Sequence, residues 1–189
     1  MRTLILALAA SLCALSAQAT TYVSSHAVGT GSVQLSITTD DTIGVLDEEN
    51  ILDWTISMTN LGTTFTLFGL ASDDNSTVRI DGTALKATAT NLTFDFNATD
   101  ALVLFQSTGL GRQLYCLQGK ACFDNGGGAE FVSPVAGFTG SARLARSGEQ
   151  FIASVPEPAS WAMMLVGFAC LGGLLRAGRS AGRGVVVSA

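Results

Sequence analysis

Apolar and polar residues alternate one for one through the middle of this chain. Val33-Gln34-Leu35-Ser36-Ile37-Thr38, Leu52-Asp53-Trp54-Thr55-Ile56-Ser57-Met58 and Leu92-Thr93-Phe94-Asp95-Phe96 keep a period of two without error. Successive side chains of an extended strand point to opposite faces, so each run predicts a strand with one buried and one solvated face. Phe65 and Leu67 alternate with Thr64 and Thr66 in a further strand, although Phe68 breaks its polar side. Val78-Arg79-Ile80 runs into Asp81-Gly82, a hairpin signal across which Leu85 to Ala89 is expected to pair back. Leu102-Val103-Leu104-Phe105 is continuously apolar and is expected to be covered on both faces.

The breaks between these runs carry turn chemistry. Asp40-Asp41, Asn60-Leu61-Gly62, Ser72-Asp73-Asp74-Asn75 and Asp124-Asn125-Gly126-Gly127-Gly128 have little helical potential. Only Leu46 to Ile51 suits a helical turn, with Asp47 to Glu49 near its start. Short strands at such spacing predict an all-β fold: a single antiparallel β-sandwich or jelly-roll-like domain over residues 20–146. Ser147 to Val155 reads as a linker. No repeat long enough for a solenoid is present.

Both ends of the chain differ from this middle. Arg2 precedes an apolar stretch from Leu4 to Leu15, and Ala17-Gln18-Ala19 places small residues where a signal peptidase needs them. This order predicts a signal peptide over residues 1–19, with Thr20 as the first mature residue. Cys13 follows Leu12, where a lipid-anchor signal would want a small residue. At the other end, Ala159 to Leu175 carries no charge, and Arg176, Arg179 and Arg183 follow it. With Pro158 this is roughly 18 residues, near the lower limit for a membrane span. The arginines fit a cytoplasmic stop-transfer tail and Trp161 an outer interfacial anchor. Gly167, Gly172 and Gly173 would let another helix approach closely in lipid.

Val155-Pro156-Glu157-Pro158-Ala159-Ser160-Trp161-Ala162-Met163-Met164-Leu165-Val166-Gly167-Phe168 resembles the PEP-CTERM protein-sorting motif. Such segments end exported proteins of Gram-negative bacteria that carry an exosortase. The resemblance implies recognition by that membrane-embedded cysteine transpeptidase, with Pro156, Glu157 and Pro158 marking the cleavage region. Trp161, Met163, Met164, Gly167 and Phe168 would belong to the anchor held in the bilayer meanwhile. Similar tails are sometimes catalogued as an ice-binding protein C-terminal domain, a label that describes the tail and is no evidence of ice binding. Family tails usually end in a compact arginine cluster, whereas here Gly and Ala space the arginines and Gly184 to Ala189 extends the chain. The stretches Ser36 to Gly44 and Asn50 to Trp54 also look like ectodomains of PEP-CTERM proteins, which implies no activity.

Residues 20–155 hold six basic against fourteen acidic residues, a net charge of −8, more acidic than the −5 of the whole chain. Such a surface repels phosphate backbones, which argues against nucleic acid as a partner. Cys116 and Cys122 are the cysteines of this region, and in an oxidising compartment they are disulfide candidates around Gly119. Metal ligation is the sharper alternative, but two sulfurs without a nearby His make a poor site.

Candidate chemistry is sparse. His26 is the sole histidine, and no Gly-x-Ser-x-Gly elbow accompanies it. A solvated or pairing role is expected for it rather than a catalytic one. Asp53 and Asp95 project from polar strand faces and would have to meet within a few ångströms to serve glycoside hydrolysis. Asp40-Asp41 and Asp73-Asp74-Asn75-Ser76-Thr77 offer oxygen ligands for Ca²⁺ without the spacing of an EF-hand, and turn formation explains both. Trp54 shares the apolar phase with Leu52, Ile56 and Met58 and is expected in the core. Tyr115, beside Cys116, is the better candidate for carbohydrate contact. Thr88-Ala89-Thr90 is one Thr-x-Thr copy, too little for a flat ice-binding array.

The expectation is an exported, non-enzymatic envelope or extracellular-matrix protein with no cofactor and no metal. Its segments are a signal peptide (1–19), a β domain (20–146), a linker (147–155), a sorting segment (156–183) and an extension (184–189). The Sec machinery, signal peptidase and exosortase would be its processing partners, and exopolysaccharide or biofilm its setting. It would be anchored in the inner membrane before processing and at the cell surface or outside afterwards. The alternatives are a carbohydrate-binding module and, further off, a secreted hydrolase.

Overall fold

A computed structural model describes residues 19–109, 112–119 and 128–156. Among the described residues, strands form two antiparallel sheets. The larger runs in the order β3 (Gly44–Val45), β7 (Leu85–Ala87), β8 (Asn91–Asp95), β13 (Glu149–Ser154), β1 (Thr20–Val28), β2 (Gly31–Thr39), β4 (Ile51–Asn60) and β5 (Thr63–Phe68). The smaller runs β12 (Ala142–Ala145), β11 (Ala129–Ser133), β10 (Leu114–Gln118), β9 (Leu102–Ser107) and β6 (Ser76–Asp81). The fold is all-β, as the alternation predicts.

One hydrophobic core lies between the sheets. Tyr22, Leu35, Ile37, Trp54, Ile56 and Met58 enter it from the larger sheet, and Val103, Phe105, Tyr115, Leu117 and Val132 from the smaller. Trp54 and Phe105 meet across the layers with ring centroids 5.3 Å apart. The indole Nε1–H of Trp54 donates to Ser76 Oγ at 2.9 Å, so its one polar atom is satisfied inside the core. Trp54 is thus the core anchor that its strand phase predicts.

Four local expectations are corrected. The Asp81-Gly82 turn forms, with Gly82 at φ 80°, but it does not fold β7 back on β6. β6 pairs with β9 in the smaller sheet, whereas β7 pairs with β3 and β8 in the larger. Ala84 and Leu85 are buried, and burial carries the chain across the core rather than back along the same sheet.

In β4 the alternation slips at its start. Leu52 is 45 % exposed and Ile51 is buried, because the β2–β4 register shifts between Thr38 and Thr39. The run Leu102 to Phe105 buries Val103 and Phe105 fully, while Leu102 and Leu104 are half-buried. Only one of its faces lies in the core.

Residues expected to form a linker contain strand β13, which lies between β8 and β1 inside the larger sheet. A bulge between Phe151 and Ala153 exposes Phe151 and buries both Ile152 and Ala153. The bulge removes the period-two signal that would mark the strand. The short turn expected near Leu46 to Ile51 is a 3₁₀ turn, Glu48–Asn50, capped reciprocally by Asp47 and Asn50.

β1 and β13 are antiparallel neighbours, with Val23 opposite Ser154. The chain therefore enters the sheet at Thr20 and leaves it after Ser154 at the same end of adjacent strands. The chain divides into compact units at Val155/Pro156. No helix among the described residues is long and apolar enough to cross a membrane.

Candidate functional site

A buried polar cluster joins the two sheets around Glu130. This acid sits on the inward phase of β11 with Val132, and its side chain is fully buried. His26 sits on the inward phase of β1, the phase of the buried Tyr22 and Val28. Its Nε2 lies 2.6 Å from Glu130 Oε1. Tyr115 of β10 donates its phenol to the same oxygen at 2.8 Å. Arg146, just past β12, reaches Oε2 through Nε at 2.7 Å and Nη2 at 2.6 Å. The guanidinium also lies 5.9 Å from the centroid of the Phe96 ring.

A carboxylate offers about four lone-pair positions, and here each oxygen accepts two hydrogen bonds. The electrostatics follow from that saturation. Burial alone pushes the Glu130 carboxyl up, but the hydrogen bond and charge of His26, the charge of Arg146 and the Tyr115 hydrogen bond outweigh it. The carboxyl is held below its ordinary value. Burial raises the Tyr115 phenol well above its ordinary value, and the neighbouring carboxylate pushes it further, so it stays a neutral donor.

An ionised carboxylate only accepts, so His26 Nε2 carries a proton, and Nδ1 faces Ser24 Oγ at 2.9 Å. The chain Ser24–His26–Glu130 has the order of a nucleophile, base and acid. Arg146 and Tyr115 hold the same acid, so the contacts tie β1, β10 and the end of β12 to one buried carboxylate of β11. The arrangement works as a clasp between sheets. The pairing role expected of His26 is what it plays, with Glu130 as the partner that sequence reasoning missed. The available signal was an acid sharing the inward phase of Glu130-Phe131-Val132 with a core valine.

The other candidates are dispersed. Asp53 on β4 and Asp95 on β8 lie in one sheet with β13, β1 and β2 between them, about 19 Å of interstrand spacing. Asp53 accepts from Ala71 N and Ser72 Oγ, and Asp95 from Asn97 N. Asp40 accepts from Asn50 Nδ2 and from Thr42 N, each at 3.1 Å, and these contacts, the Asn50 bond foremost, hold its carboxyl below the ordinary range. Thr20 Oγ1 donates to Asp41, which has φ 72°. In the loop after β5, Ser72, Asp73 and Asp74 donate backbone N–H to Gly69 O, and Asn75 caps Phe68 N at 2.8 Å. These acids form turns. Among the described residues no group of three or more His, Cys, Asp or Glu gathers as a metal site. Thr88 caps its own turn through Asn91 N.

Tyr115 is completely buried, which removes it from carbohydrate contact. Cys116 is disulfide-bonded. Cys122 lies outside the described residues, as do the signal residues 1–18. Glu157, Pro158, Trp161, Met163, Met164, Gly167, Phe168, Arg176, Arg179 and Arg183 lie outside them too, and Pro156 is the last residue described.

A second surface was not singled out by sequence. On the outward face of the larger sheet, register aligns Val23, Ser36, Thr55 and Phe68 in one row across β1, β2, β4 and β5. The next row is Ser25, Gln34, Ser57 and Thr66. Hydroxyls pair between strands: Thr66 with Ser57 at 3.2 Å, Thr21 with Thr38 at 2.9 Å and Thr59 with Thr64 at 2.8 Å. A shallow depression of about 580 Å³ is lined by Val23, Ser25, Gln34, Ser36, Thr55 and Ser57 among others.

Comparison with protein-family models, with curated proteins and with solved structures finds no match to this chain.

Proposed function

We propose that this is an exported, non-enzymatic envelope or extracellular-matrix protein, with one β-sandwich domain delivered by a signal peptide and a PEP-CTERM sorting segment. The observation that carries the reading is that a division between compact units falls at the sorting motif, with the first described strand starting at the cleavage address. Strand β1 begins at Thr20, the residue after Ala17-Gln18-Ala19, and the compact unit ends at Val155, the residue before Pro156-Glu157-Pro158. Cuts at both addresses would spare every strand of the sheets. Entry and exit at one end of β1 and β13 also suit a domain held by a single terminal anchor. The non-enzymatic part is supported by the separation of Asp53 from Asp95, which is too wide for a pair serving glycoside hydrolysis.

In this reading Pro156-Glu157-Pro158 is a substrate for an exosortase, Trp161 to Leu175 holds it in the inner membrane, and the arginines stop transfer. The released or transferred domain then resides at the cell surface or in the matrix. Intact-mass measurement of culture and membrane fractions tests it. A species beginning at Thr20 and shortened near Pro156 is expected in a strain with an active exosortase, with the C-terminal cut lost on exosortase deletion. Full-length protein of one size in both strains overturns the sorting claim.

A further inference from the structure

The outward face of β1, β2, β4 and β5 carries an uncharged patch on an acidic domain. Its two central rows hold hydroxyls, one amide and the apolar Val23 and Phe68, with no formal charge. Asp53 borders the patch on β4, and its carboxylate is engaged by Ala71 N and Ser72 Oγ. Phe151 stands on β13 opposite Thr93, one strand beyond β1, and is 72 % exposed.

We propose that this face binds an uncharged polysaccharide chain laid across β1, β2, β4 and β5. Charge selects the ligand class first. A net charge of −8 over residues 20–155 repels acidic polymers, and cations have exposed carboxylates elsewhere on the domain to prefer over a patch of hydroxyls. Hydrogen-bond chemistry selects next. Hydroxyls and the Gln34 amide each donate and accept, which matches a polyol whose own hydroxyls do both.

Dimensions fit as well. Four interstrand spacings separate β13 from β5, about 19 Å, the length of a short run of sugar rings. The depression of about 580 Å³ lies within the usual range for a ligand site. Phe151 is exposed and Phe68 half-buried at opposite borders of the patch, and aromatic rings there suit the apolar sides of sugars. Short side chains on a rigid sheet, several already paired across strands, lose little freedom on binding.

The proposal rests on the envelope reading only for where the ligand is met. A sorting failure would change the cell fraction, whereas this test reads binding. Purified full-length chain is run through gels cast with laminarin, hydroxyethylcellulose, galactomannan or dextran, and with alginate as the acidic control. Retardation by at least one neutral polymer and none by alginate is expected. Ser57→Glu should raise the dissociation constant about tenfold or more, and Arg112→Glu, on the β9–β10 connection of the other sheet, should leave it unchanged. Phe151→Ala, a truncation of an exposed ring, should weaken binding several-fold and serves if Ser57→Glu fails to fold by circular dichroism. No retardation by any neutral polymer, retardation by alginate alone, or wild-type affinity in folded Ser57→Glu or Phe151→Ala overturns the proposal. So does a sugar-free dimer in sedimentation that Ser57→Glu dissolves, since a second copy would then cover the face.

Discussion

His26 Nε2 and Glu130 Oε1 lie 2.6 Å apart, and the contact joins β1 of the larger sheet to β11 of the smaller. A charged link beside a largely apolar core is stable only when well satisfied, because each unmade hydrogen bond there costs the desolvation of its group. Tyr115 and Arg146 complete it.

Removing the acid leaves the Arg146 guanidinium without its counter-charge. Glu130→Ala is expected to cost about 3–5 kcal/mol and Tyr115→Phe about 1.5–3 kcal/mol in urea unfolding. Losses that add independently in the double variant would contradict a shared network, since both side chains act on one carboxylate.

The same carboxyl predicts a pH dependence. Its folded pKa lies below the ordinary value of 4.5, so the carboxylate contributes stability above that value and loses it as pH falls through the folded pKa. Unfolding free energy should therefore decline below about pH 4.5, and Glu130→Gln should flatten that part of the decline. An unchanged acid slope in the variant would remove Glu130 from the account.

Ile51 and Leu52 offer a test of the β4 register. Leu52→Thr should change stability by no more than about 0.5 kcal/mol, as at other exposed positions. Ile51→Ala should cost about 2–4 kcal/mol, as for a buried aliphatic truncation. Simple alternation predicts the reverse order, so paired melts of the two variants discriminate directly.

Cys116 is bonded, and peptide mapping without reductant should recover it linked to Cys122. Reduction or Cys116→Ala should lower stability by about 2 kcal/mol, the scale expected for a short closed loop. Recovery of Cys116 joined to another cysteine would discard the small-loop pairing.

Sequence legibility followed the physics of each element. β2 and β8 were plain because their alternation is unbroken and puts Leu35, Ile37, Leu92 and Phe94 in the core. β13 was hidden by a bulge that puts Ile152 and Ala153 on the same side. The crossing after Gly82 was hidden because a tight turn says nothing about which sheet its second arm joins. The Asp53–Asp95 pairing depended on strand order, which local pattern does not encode.

The chain's own residues were enough to determine an all-β body, an acidic composition, Trp54 in the core and turns at Asp40-Asp41 and Ser72 to Asn75, while the Asp124 to Gly127 break lies outside the described residues. Each of these depends on neighbours close in sequence or on composition. Tertiary structure decided that His26 meets Glu130, 104 residues away, that Tyr115 is buried beside it, and that β13 closes against β1. It also brought Ser25, Gln34, Ser57 and Thr66 into one row. Those outcomes depend on strand register and sheet order, which are set by the packing of the whole core.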